Sequence, residues 1–96
     1  MTYAPKIVLT LPMNNPDALP SFVEACLRDR VELIAVVGPD CENVHDLIDD
    51  VIIGDGSDTT RFIVTSWHTD EPLNDVLEFA RDWTAKTEGQ VQIVSL

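Results

Sequence analysis

Leu33-Ile34-Ala35-Val36-Val37-Gly38, followed by Pro39 and then by Val44, Leu47, Ile48 and Val51 at helical spacing, is the stretch on which the fold turns. Five apolar residues with no polar alternate read as a strand covered on both faces, as in a parallel sheet. Gly38-Pro39 ends the run, and Asp40 stands where a helix cap belongs. The same strand-then-helix pattern occurs on either side. An apolar run at 6–11 precedes a Pro/Asn loop and a helix from Asp17 to about Arg30, in which Leu19, Phe22, Val23, Cys26 and Leu27 form a stripe. A run at 61–67 precedes a helix capped by Thr69 or Asp70 and reaching about Thr87, and a fourth run occupies 90–96. Val51-Ile52-Ile53 before Gly54 fits either a helix end or a short extra strand.

The expected fold is therefore α/β, a small three-layer sandwich of four or five mostly parallel strands in β-α-β-α-β-α-β order, forming one domain over residues 1–96. Over the whole chain this architecture resembles Rossmann-like and flavodoxin-like domains. Those are superfolds with many unrelated functions, so the resemblance implies a scaffold and no chemistry.

Charge narrows the partners. The 96 residues hold 17 acidic and 6 basic side chains, a formal net charge of −11, which opposes binding to nucleic acid or to anionic lipid. No Lys or Arg lies between Arg30 and Arg61, whereas Asp40, Glu42, Asp46, Asp49, Asp50, Asp55 and Asp58 do. No apolar run is long enough to span a membrane. Residues 1–5 are too short and polar for a secretion signal, so a cytoplasmic location is expected. Cys26 and Cys41 are too few for a disulfide framework and should stay reduced there.

In open α/β sheets ligands bind at the carboxyl ends of the strands, where three loops here converge. Asn14 and Asn15 in the first loop and Asp40 in the second are candidate ligand-binding residues. The first loop lacks the glycines of a dinucleotide or P-loop site, and no cofactor is expected. Cys41 would open a helix just after a strand, and His68 and Asp70 leave another strand at the same edge. They form a candidate catalytic set of nucleophile, base and orienter, although flanking Asp40 and Glu42 oppose a thiolate. Cys41, His45, His68, Asp40 and Asp70 carry metal-ligating groups, but no C-x-x-C or H-x-x-x-H pair supports a metal site, and none is expected. His45 is expected to face solvent. The Gly54–Asp58 segment reads as a turn, since it lacks the spacing of a calcium loop.

The third helix has the widest apolar arc, because Leu73, Val76, Leu77, Ala80 and Trp83 are joined by Phe79. Phe79 and Trp83 are the surplus and mark a candidate interface. The favoured reading is a small acidic, non-catalytic module that pairs with itself or binds a protein partner, most simply as a homodimer. The alternative is a small enzyme or small-molecule binder that uses the Cys41, His68 and Asp70 crevice.

Overall fold

The computed structural model describes residues 2–85 and 89–96. Four strands, β1 (Lys6–Thr10), β2 (Leu33–Val37), β3 (Val64–His68) and β4 (Val91–Ser95), form one parallel sheet in the order β3-β2-β1-β4. This is the order of the first four strands of a Rossmann sheet. Three α-helices connect them, α1 (Leu19–Arg28), α2 (Cys41–Ile53) and α3 (Leu73–Asp82). Strand periodicity divides the core. Ile7, Leu9, Ile34 and Val36 meet α1 and α2 on one face, while Val8, Leu33, Ala35 and Val37 meet Val76 and Ala80 of α3 on the other. Ile7, Leu9, Leu33 and Ile34 are fully buried, each contributing roughly 1.5–3 kcal/mol of transfer free energy. The expected three-layer α/β sandwich is the observed one.

Double-sided burial holds for the central strands alone. β1 and β2 are buried at nine of their ten positions, whereas β3 is buried only at His68 and β4 only at Val94. The cause is position: β3 and β4 are the sheet edges, and α3 packs over β1 and β2.

Several boundaries differ from expectation. β3 begins at Val64, whose N–H donates to Glu32 O at 3.0 Å, not at residue 61. Arg61 is drawn away to α2, where Nε donates to Ile52 O at 2.8 Å and Nη2 to Val51 O at 2.9 Å, and it also pairs with Glu24 of α1. Val51, Ile52 and Ile53 finish α2, closed by Gly54 N–H to Asp50 O at 3.0 Å, so among the described residues the sheet has four strands and no fifth. A 3-10 turn over Pro16–Ala18 takes the place of the first turn expected for α1. α3 begins at Leu73 because Asp70 has a left-handed φ of 59° and Pro72 is extended. It stops at Asp82, where Trp83 turns extended; the expected end near Thr87 falls outside the described residues. Below that end lies buried Lys6, whose Nζ donates to Ala80 O at 2.9 Å and Arg81 O at 3.0 Å, a cation on the negative pole of α3. Among the described residues no helix is long and apolar enough to cross a membrane.

Candidate functional site

The crevice expected at the carboxyl ends of the strands exists as a cavity of about 540 Å³ lined by Asp40, Cys41, Thr69, Asp70 and Glu71, among others. Its residues do not assemble as the sequence suggested. Cys41 opens α2, is 2% exposed, and places Sγ 3.7 Å from Thr69 Oγ1. It belongs to the core on the α1 and α2 face. His68 projects from β3 toward α3, and its ring packs on Phe79 with centroids 4.7 Å apart. Both His68 nitrogens are engaged elsewhere, Nε2 with Ser66 Oγ at 2.9 Å and Nδ1 with Glu71 Oε2 at 2.8 Å. Asp70 is exposed in its left-handed turn. Asp40, also left-handed, accepts from Asn43 Nδ2 at 3.3 Å instead of capping α2 with its side chain. The structure thus brings Cys41 to Thr69 and His68 to Ser66 and Glu71, not Cys41 to His68.

Asn14 and Asn15 close the switch point between β1 and β4 through their backbones. Their N–H groups donate to Leu96 O at 3.0 and 3.1 Å, and both residues stand exposed. The Gly54–Asp58 turn is held by Asp55, which accepts from Ser57 N and Oγ, and is followed by Asp58, which accepts from Thr60 N and Oγ1. Those hydrogen bonds hold both carboxyls below the usual carboxylate range. Among the described residues no three His, Cys, Asp or Glu side chains are grouped to hold a metal ion.

Polar organisation concentrates on β3. Its two faces carry separate sets of side chains, because alternate residues point to opposite sides. Toward α2, Thr65 Oγ1 donates to Asp49 Oδ1 at 2.7 Å and lies 2.9 Å from His45 Nε2, and the His45 ring packs on Trp67. His45 is therefore buried, not solvent-facing. The helical stripe is turned relative to the expected one, with Cys41, Val44, His45, Ile48 and Ile52 inward and Leu47 exposed, because Thr65 and Asp49 satisfy the imidazole. Toward α3 lies the Ser66, His68 and Glu71 set.

Phe79 is 38% exposed beside His68, whereas Trp83 has left the helix and lies half-buried against the α3-side core. On and beside β3, Trp67 (45%) and Phe62 (73%) are exposed, and away from it so are Ile53 (60%) at the end of α2, Ile93 (50%) on β4 and Leu47 (46%). Near Phe62 a groove of about 960 Å³ gathers three of the four arginines, Arg28, Arg30 and Arg61, with Glu24, Glu32 and Asp58 around Leu27, Val31, Val64 and Trp83. Basic and acidic side chains balance there, in a chain of net charge −11.

Ser66, Glu71, Thr65 and Asp49 carry these networks but were not singled out from sequence. The available signals were the two-residue spacing of Ser66 and His68 on one strand face and the four-residue spacing of His45 and Asp49 on one helix face.

A family model described as Domain of unknown function (DUF7684) matches residues 6–96, and the chain belongs to that family. No curated protein and no solved structure matches it.

Proposed function

We propose that this member of the DUF7684 family is a small interaction module that self-associates as a homodimer through the open edge of β3. The observation that carries the reading is an exposed, uncharged strand edge on an otherwise strongly acidic chain. Residues 62–68 contain no Asp, Glu, Lys or Arg, while 24% of the chain is charged. Val64 N–H points to β2, so the two-residue period turns the N–H and C=O groups of Thr65 and Trp67 outward, away from β2. Among the described residues β3 has β2 as its sole strand neighbour. Unpaired edges recruit another strand, and natural sheets usually blunt them with charge or proline, which β3 lacks.

A second copy supplies an identical edge, and antiparallel pairing about a two-fold axis makes that edge self-complementary. Phe62 and Trp67 provide aromatic anchors of the kind that dominate protein interfaces. Charge supports the same location, since two chains of −11 repel except where acids are few or balanced, as along residues 62–68 and in the arginine-bearing groove beside Phe62. Two buried free cysteines fit a reducing compartment such as the cytoplasm.

A Trp67→Glu variant tests the interface. With a native circular dichroism spectrum it should elute as a monomer on a column where the native chain elutes as a dimer. Unchanged dimeric elution of the variant argues against this edge.

A further inference from the structure

We propose that Ser66, His68 and Glu71 form an acyl-transfer relay acting on carboxylic esters with an apolar acyl group. Ser66 is the nucleophile, His68 the general base and Glu71 the residue that positions the imidazole. Ser66 Oγ lies 2.9 Å from His68 Nε2, and His68 Nδ1 lies 2.8 Å from Glu71 Oε2. With its proton on Nδ1 the ring donates to Glu71 and accepts from the Ser66 hydroxyl, so each nitrogen has the role that a serine relay requires. The backbone explains the convergence. Two-residue periodicity puts Ser66 and His68 on one face of β3, and the left-handed turn at Asp70 carries Glu71 back to the ring. His68 is 7% exposed and its ring packs on Phe79, so packing fixes the orientation that Glu71 also sets.

The acyl group has a surface to occupy. α3 packs over β1 and β2 and leaves Ser66 partly exposed. Trp83 and Val64 line one groove at the near end of β3, and Phe79 covers His68 at the far end. Ser66 sits between Val64 and His68 on the same face, so apolar Val64 borders it on one side and Phe79, packed on the His68 ring, lies beyond the imidazole on the other.

In the first half-reaction Ser66 Oγ bonds to the ester carbonyl carbon while its proton passes to His68 Nε2. The C–O bond to the alcohol then breaks, and the departing oxygen takes that proton. In the second half, water adds to the acyl-serine carbonyl and gives its proton to Nε2. The bond between the acyl carbon and Ser66 Oγ breaks, Oγ recovers the proton from Nε2, and a carboxylic acid leaves. Glu71 accepts from Nδ1 throughout. The inference goes beyond the self-association reading and stands without it, because these side chains lie on the opposite strand face from Trp67.

An alkyl fluorophosphonate tests the relay, since an activated serine displaces fluoride at phosphorus and gains a fixed mass. The native chain should acquire one adduct, mapped by peptide mass spectrometry to Ser66, and Ser66→Ala should acquire none. His68→Gln should label more slowly by about 100-fold, the lower range for loss of a general base. For Glu71, the native one-dimensional proton spectrum should contain a downfield, exchange-protected imidazole N–H resonance. Glu71→Gln should lose it and label more slowly, while Ser66→Ala should retain it. Should His68→Gln fail to fold, Ser66→Ala and Glu71→Gln carry the test. A folded native chain that takes no adduct, or an adduct that persists in Ser66→Ala, overturns the proposal. Native-rate labelling of Glu71→Gln overturns the role given to Glu71.

Discussion

Trp67 rests on His45, with ring centroids 4.6 Å apart and planes inclined by 55°, while 45% of the tryptophan remains exposed. The imidazole beneath it is itself tied to Thr65, and Thr65 to Asp49. An exposed aromatic held in place by a buried polar network loses little conformational freedom on docking, which lowers the entropic cost of association. This arrangement makes Trp67 the anchor of the proposed interface.

Asp46 and Asp49 lie beside His45, within the same neighbourhood as Trp67, and each chain carries −11 overall. Although residues 62–68 are themselves uncharged, pairing two copies still works against the net like charge of the two chains. Added salt should tighten the dimer, because the Debye length falls from about 10 Å at 0.1 M to about 3 Å at 1 M. Dissociation constants from sedimentation at increasing sodium chloride check this, and weakening with salt would point to a basic partner instead of a second copy.

Arg61 holds the loop before β3 against both neighbouring helices, bonding Val51 O, Ile52 O and Glu24. Its planar fork serves three acceptors at once, which an ammonium on a flexible stem does not reproduce. Arg61→Ala should cost about 2 kcal/mol, in the range for hydrogen bonds to charged groups, and Arg61→Lys should recover less than half of that. Urea unfolding of the three proteins gives the comparison.

Gly38 turns the chain out of β2 with φ +114°, and a Cβ built there would lie 2.7 Å from Leu11 O. Gly38→Ala adds a backbone clash to an unfavourable φ and should lower stability by at least about 2 kcal/mol. Gly56 has φ +81° with open space around its Cβ position, so Gly56→Ala carries the conformational term alone, about 1 kcal/mol. Thermal melts that rank the two variants in the reverse order would contradict this.

Burial, and secondarily the charge of Asp29, pushes the Cys26 thiol up from 9.0 to about 12. The unfolded chain ionises this group from about pH 9, whereas the folded chain keeps its proton until about pH 12. Between these values the folded state binds more protons, so the contribution is complete below pH 9 and declines as pH rises toward 12. Cys26→Ala should show a shallower alkaline fall in unfolding free energy across that window than the native chain. Equal slopes would contradict the assignment.

Fold and site were legible to different degrees, for physical reasons. The uninterrupted apolar run at Leu33–Val37 is a direct consequence of burial on two faces, so the parallel sheet could be read from it. Edge position leaves no such mark: the residues around Ile63 look as apolar as those of β2, yet Phe62 stands in solvent because the ladder starts after it. His45 and Leu47 exchanged their expected places because a hydrogen-bonding partner on β3 outweighs intrinsic apolarity, and that partner is distant in sequence. His68 was singled out as a candidate site residue, but its partners depended on which strand face it occupied. Strand alternation gave it Ser66 rather than Cys41.

The sedimentation-equilibrium mass of the native chain, from micromolar to submillimolar concentration, tests self-association most directly. A homodimer gives a concentration-dependent rise to twice the 10.7 kDa chain mass, absent in Trp67→Glu. A native mass of 10.7 kDa at every concentration would contradict it.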